Sequence, residues 1–158
     1  MTIQIGERIP HAQLNVLTDG VQTVTTEELF DGRKVLLFSV PGAFTPTCSF
    51  KHLPGYVDKL DEFRKRDIDV ACMSVNDAFV MAAWANSQQV PSDLRMLADG
   101  NGAFAEALGL TMDATAFGMG KRSKRFALYA EDGVVKQVFV EAPGEFKVSS
   151  AEAVLAAI

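Results

Sequence analysis

The apolar positions of the chain fall into short blocks whose spacing alternates between that of strands and that of helices. Ala12, Leu14 and Val16 alternate with polar neighbours, Thr18-Asp19-Gly20 turns, and residues 21–24 return, which predicts a small hairpin ahead of the main sheet. Thr25 and Glu28 stand at capping-box spacing for a short helix that Asp31-Gly32 stops. Val35-Leu36-Leu37-Phe38-Ser39-Val40 is too short and too apolar for an amphipathic helix and predicts a strand buried on both faces in the middle of a parallel sheet. Tyr56, Leu60 and Phe63 form the core stripe of a helix that Pro54-Gly55 kinks. Residues 69–75 predict a second parallel strand, after which Asn76-Asp77 caps a helix carrying Phe79, Ala83 and Trp84. Pro91 closes a loop, residues 94–98 form a third strand, and residues 102–108 a helix ended by Gly109. Residues 126–130 and 134–140 are strands joined at Glu131-Asp132-Gly133, and Ser149 with Glu152 caps a terminal helix. Alternating strands and helices of this kind define an α/β fold with a central mixed sheet flanked by helices.

Composition narrows the picture. A chain of 158 residues, 48% hydrophobic, is long enough for one core, so residues 1–158 are expected to form a single domain. A net charge of −5 argues against nucleic acid and anionic membrane as partners, since both require a basic face. Residues 1–8 lack the cationic and apolar regions of a signal peptide, and no apolar run approaches the ~18 residues of a membrane span. The two cysteines, Cys48 and Cys72, lie 24 positions apart in no metal-binding or C-x-x-C spacing, so no metal site is expected and a reduced, cytoplasmic setting is the default. Cys72 falls inside a predicted strand and reads as a small buried hydrophobe that cannot reach Cys48 to form a disulfide.

The candidate chemistry follows the apolar run at residues 35–40. Pro41-Gly42-Ala43-Phe44-Thr45-Pro46-Thr47-Cys48 ends in a helix start, with Thr45 as N-cap and Pro46 at the first helical position, so Cys48 lies in the first turn. Unpaired N–H groups and the helix dipole there favour a thiolate. Lowering an ordinary thiol pKa from about 8.5 to about 6 takes ~3.4 kcal/mol, whereas a helix terminus supplies at most ~2 kcal/mol. A fixed cation is therefore required. Full ionisation gains only about thirtyfold in thiolate at neutral pH, so donors aimed at the transition state are required as well. His52, four residues after Cys48, is expected to bond locally or to solvent, since an ionised sulfur has no need of a base. Gly118-Met119-Gly120-Lys121-Arg122-Ser123 superficially matches a phosphate-binding loop, but Thr115 and Arg122 occupy positions that demand Gly and Ser or Thr, so nucleotide binding is rejected.

The pattern Pro-x-x-x-Thr-x-x-Cys over residues 41–48 resembles that of the peroxiredoxins, thiol peroxidases of thioredoxin-like fold. Residues 41–56 (PGAFTPTCSFKHLPGY), 70–79 (VACMSVNDAF) and 122–135 (RSKRFALYAEDGVV) are similar to the type II subfamily of plants, bacteria and mitochondria. The resemblance implies that Cys48 attacks a peroxide oxygen and becomes a sulfenic acid. It also implies that Arg125 holds the sulfur and the developing oxygen charge, that Thr45 bonds the substrate or the sulfur, and that Pro41, Gly42, Phe44 and Phe117 line the pocket. Residues 146–150, where some relatives carry a resolving cysteine, hold serines, so an external thiol is implied: glutathione with glutaredoxin, or thioredoxin. No bound cofactor is implied. Lys121, Arg122 and Lys124 are candidates for steering anionic glutathione, and a homodimer is implied as well. The competing classes are a non-enzymatic peroxide sensor, separated by its lack of turnover, and a thiol-disulfide exchange protein, which would need a reactive cysteine pair.

Overall fold

In the computed structural model, which describes residues 1–158, the alternating N-terminal segment forms the hairpin β1 (Gln13–Thr18) and β2 (Gly20–Thr25). Thr25 caps α1 (Thr26–Phe30) by accepting the Glu28 N–H at 3.2 Å. The apolar run becomes β3 (Lys34–Ser39), and beyond it lie a π-helical turn (Cys48–His52), α2 (Leu53–Asp58) and α3 (Leu60–Lys65). There follow β4 (Asp69–Ser74), α4 (Ala78–Ser87), β5 (Leu94–Ala98), α5 (Ala103–Leu108) and the short strand β6 (Thr111–Asp113). A 3-10 turn (Thr115–Phe117) leads to β7 (Lys121–Ser123), β8 (Phe126–Glu131), β9 (Val134–Val140) and α6 (Ala151–Ala157).

Seven strands form one sheet in the order β2-β1-β5-β4-β3-β8-β9, with β6 and β7 paired apart from it. β3 runs parallel to β4 on one side and antiparallel to β8 on the other, so the central sheet is mixed as expected. Both faces of β3 are nevertheless covered, which is why the run lacks alternation. Val35 and Leu37 pack with Phe104, Leu108 and Phe126, while Leu36, Phe38 and Val40 pack with Tyr56, Phe63 and Trp84. Burying side chains of this size stabilises the fold by about 1.5–3 kcal/mol each. The alternating helices and mixed sheet make a thioredoxin-like α/β fold.

The N-terminal hairpin joins the main sheet, where β1 pairs antiparallel with β5 at Asn15 and Ala98 and extends its edge. Two expectations are corrected. On α4, which Asp77 caps by accepting the Val80 N–H at 2.9 Å, Ala78, Met81 and Trp84 pack into the core while Phe79 and Ala83 are exposed. The cap of α6 is Ser150, whose hydroxyl accepts the Ala153 N–H at 3.1 Å, while Ser149 is buried and bonded elsewhere.

The helix after β3 widens rather than merely kinking. Leu53 N–H bonds the Cys48 carbonyl five residues back, and Pro54, which has no N–H to give and whose ring would crowd the carbonyl four residues before it, follows at once. Gly109 ends α5 at φ +71°, where a Cβ would lie 2.1 Å from the Met1 carbonyl oxygen, so only glycine lets the N-terminal backbone pass.

Candidate active site

Residues 41–48 leave the C-terminal end of β3. Pro46 and Thr47 begin the helix, and the Thr45 carbonyl accepts the Ser49 N–H at 2.9 Å, so Thr45 is the N-cap in its backbone. Its hydroxyl does not cap; it donates to the Gly42 carbonyl at 2.7 Å and keeps its own lone pairs available. The Ala43 N–H donates to Asn76 Oδ1 at 3.0 Å, which ties the loop to the end of β4.

Cys48 is completely buried, and Arg125 Nη2 donates to its Sγ at 3.1 Å. Arg125 immediately precedes β8, the antiparallel neighbour of β3, and this adjacency delivers a side chain 77 positions away. Its other fork nitrogen, Nη1, donates to His52 Nδ1 at 2.9 Å. His52 is also fully buried, with Nε2 3.1 Å from the Ser149 carbonyl. A carbonyl only accepts, so Nε2 carries the proton and Nδ1 is free to accept from Arg125. Burial, reinforced by the Arg125 charge, lowers the His52 pKa to about 3, so the ring is neutral. Its one lone pair is occupied, and it cannot serve as a base. The local or solvent-bonded role expected for His52 is thus overturned: its partners are 73 and 97 residues distant, because the helix face that carries Cys48 packs against β8 and the C-terminal loop. The site is a desolvated sulfur held by a guanidinium at a helix start, an arrangement suited to stabilising a thiolate and a developing oxygen charge.

The Redoxin family profile matches residues 4–155. Peroxiredoxin-2E, chloroplastic, of Arabidopsis thaliana is 48% identical over 163 residues, a match spanning 99% of this chain and 70% of that protein. Peroxiredoxin-2B of the same plant is 43% identical, covering 99% of this chain and 98% of that protein. The structure of reduced Prx3 from Vibrio vulnificus in complex with hydrogen peroxide superposes with a TM-score of 0.95 at 49% identity, covering 99% of each chain. The chain belongs to the peroxiredoxins. A peroxiredoxin is a thiol-dependent peroxidase, and its electrons come from a thiol donor.

Around this peroxiredoxin's sulfur the other predicted residues are placed unevenly. The Pro41 carbonyl lies 3.5 Å from Arg122 Nη1, and Arg122 Nε donates to the Met119 carbonyl at 2.9 Å. A Cβ on Gly42 would meet Met119 Cε at 3.0 Å and both Arg122 Nη1 and Thr45 Cγ2 at 3.2 Å, so a larger residue here would push these side chains aside by a few tenths of an ångström. Phe44 sits at φ +66° with 54% of its surface exposed, and Phe117, on the 3-10 turn, is 79% exposed; in a single chain both rings stand largely in solvent. Lys121 pairs with Glu106 at 2.8 Å and Arg122 braces the loop, so most of the basic cluster is engaged within the chain. Residues 121–123 form β7 against β6 and no helix follows, which excludes a phosphate-binding loop. No helix is long and apolar enough to cross a membrane.

Several residues at this site escaped the sequence reading. Glu141 accepts the N–H groups of Lys147, Val148 and Ser149 and the Ser149 hydroxyl at 2.7–2.9 Å. Burial pushes its carboxyl up, yet the hydrogen bonds from Ser149, Lys147 and Val148 outweigh this and hold it below the usual carboxylate range. Tyr56 donates to the Ser149 carbonyl at 2.7 Å, and the Phe146 ring lies 5.0 Å from that of His52. Only the offset of four between Cys48 and His52 was visible in the sequence as a signal.

Proposed function

We propose that Cys48 is the peroxidatic residue. Its thiolate attacks one oxygen of a peroxide, the S–O bond forms as the O–O bond breaks, and the departing oxygen leaves as water or an alcohol after taking a proton. Sulfur is oxidised to a sulfenic acid and the peroxide is reduced. The observation that carries this reading is the 3.1 Å hydrogen bond from Arg125 to a fully buried Sγ in the first turn of a helix. Arg125 stabilises the charge that moves onto oxygen, Thr45 accepts from the peroxide O–H with its free lone pairs, and Pro41 and Gly42 close the loop against water. That a relative 49% identical binds hydrogen peroxide in its reduced form supports a peroxide as substrate here.

The sulfenic acid is then reduced from outside the chain. Cys72 is free and buried inside β4, and residues 146–150 hold no thiol. One glutathione condenses with the sulfenic acid and releases water, and a second thiol, delivered by glutaredoxin, reduces the mixed disulfide; thioredoxin is the alternative donor. Because Cys48 is fully buried, a peroxide reaches it far more readily than a tripeptide, so the turn at Cys48–His52 must open before glutathione can react. The exposed Phe44 and Phe50 after β3 and Phe79 after β4 support a homodimer that covers this end of the sheet. The two free cysteines support a reducing compartment such as the cytoplasm.

Mass spectrometry after peroxide treatment tests the scheme. One added oxygen is expected on the Cys48 peptide, replaced by a glutathione adduct when glutathione is present, with sustained peroxide consumption once glutaredoxin is added. Oxidation on the Cys72 peptide, or a single stoichiometric reaction with every donor, would overturn it; the second outcome would point to a sensor.

A further inference from the structure

We propose that Glu141 is a positioning residue of the peroxidase: its carboxylate folds residues 147–149 so that the Ser149 carbonyl fixes the His52 tautomer, and His52 then aims Arg125 at Cys48. The inference rests on the reading of Cys48 as the reacting sulfur.

Glu141 is 7% exposed and has no Lys or Arg partner. A buried carboxylate without a counter-ion is costly unless hydrogen bonds compensate it, and this one accepts from three consecutive backbone N–H groups and a hydroxyl. The result is a closed turn that presents one carbonyl, that of Ser149, to both His52 Nε2 and the Tyr56 hydroxyl. That carbonyl demands a proton on Nε2, which leaves Nδ1 as the acceptor that Arg125 Nη1 requires. With the turn loosened, the imidazole is free to carry its proton on Nδ1 and would then oppose a guanidinium N–H, turning the fork away from Sγ. Glu141 also holds the other end of the arginine, since its backbone N–H donates to the Arg125 carbonyl at 3.0 Å. Phe146, within the same loop, lies 5.9 Å beneath the guanidinium carbon. The C-terminal loop therefore fixes the arginine through three contacts, of which two depend on the Glu141 side chain.

A double-mutant cycle on the full chain tests this, with the peroxide step measured in single-turnover stopped flow below any thermal transition. Glu141→Gln replaces an acceptor by an amide that cannot satisfy all four donors, and it is expected to slow the step about tenfold, the scale of a small misplacement of a reacting group. In an Arg125→Lys background, where the fork is already gone, the same substitution should cost less than about twofold, the margin of ordinary additivity. Equal losses in the two backgrounds, or none with Arg125 present, would overturn the proposal, because a purely structural role lowers both alike. In nitrogen-15 spectra the His52 ring should carry its proton on Nε2 in the parent and shift toward Nδ1 in Glu141→Gln; an unchanged tautomer would also overturn it. Should Glu141→Gln fail to fold, Ser149→Ala, which removes a single donor, carries the same cycle with a smaller loss. Cys48→Ser run alongside keeps the two readings apart, since residual peroxide consumption there defeats the choice of sulfur and not the role of Glu141.

Discussion

The turn after β3 and the middle of β4 each bury a cysteine completely, and the two sulfurs belong to the same apolar cluster, yet their surroundings differ in kind. Cys48 sits where a strand gives way to a helix and receives a guanidinium N–H. Cys72 sits between Phe38 of β3 and Met96 of β5, and burial, with a lesser push from Cys48, raises its thiol pKa well above the ordinary value. Depth is common to both, so burial alone cannot account for the reactivity proposed for Cys48. What differs is the backbone around each sulfur. A strand interior uses its N–H and C=O groups in ladder bonds and has none for a side chain, whereas a helix start leaves N–H groups unpaired, and these favour negative charge on a sulfur that Arg125 also contacts.

The largest effect that tests this contrast is expected from Cys48→Ser, which should reduce peroxide consumption to the level of buffer with the donor alone. Any remaining turnover would mean that the chemistry does not lie at the helix start. Next in size is Arg125→Lys. An ammonium is a point donor and cannot serve Sγ and His52 Nδ1 together as the planar fork does, so the peroxide step should slow about 100-fold, the cost of losing one preorganised donor to a developing anion. A rate within about threefold of the parent would show that charge alone suffices and that the fork geometry is immaterial.

What the sequence disclosed follows the range over which each feature is determined. β3, the hairpin of β1 and β2, the Asp77 cap and the helix start at Thr45 rest on neighbours within a few positions, and their spacing is readable directly. Arg125 was named through the resemblance of residues 122–135, not through any local signal of its own. Which face of α4 turns inward was not legible, because Phe79 and Trp84 are both large apolar residues on one short helix and only packing decides between them. Ser149 and Ser150 are adjacent and chemically alike; the capping role fell to the second because Glu141 takes the hydroxyl of the first. The roles of His52 and Glu141 depend on partners delivered from other elements, and no periodicity encodes such pairings.

A smaller effect, on stability rather than rate, sharpens the contrast from the side of Cys48. The His52 pKa falls from 6.5 to about 3 in the folded chain, chiefly through burial and secondly through Arg125. Between those values the unfolded chain binds one more proton than the folded one, so the stability is intact above about pH 6.5 and is lost as pH falls toward 3. The expected slope from His52 is about 1.4 kcal/mol per pH unit between roughly pH 6 and pH 5. Urea titrations across this interval should show the slope in the parent and a flatter profile in His52→Asn. An equal slope in the two would mean that the imidazole is hydrated and that the site is not desolvated.

The smallest expected effect belongs to Cys72→Ala. Deleting one buried sulfur from a packed strand leaves a void about the size of a methyl group and should lower stability by about 1 kcal/mol. The peroxide step and turnover with glutathione and glutaredoxin should stay within about twofold of the parent, since the hydrogen bonds of the Arg125 fork go to Cys48 and His52 and not to Cys72. The variant bears on the comparison because Cys72 is the only other sulfur in the chain able to form a disulfide with an oxidised Cys48. Turnover that collapsed while the single peroxide step stayed fast would show β4 opening far enough for the two sulfurs to meet, and the strand interior would then be a second half of the redox site instead of inert packing.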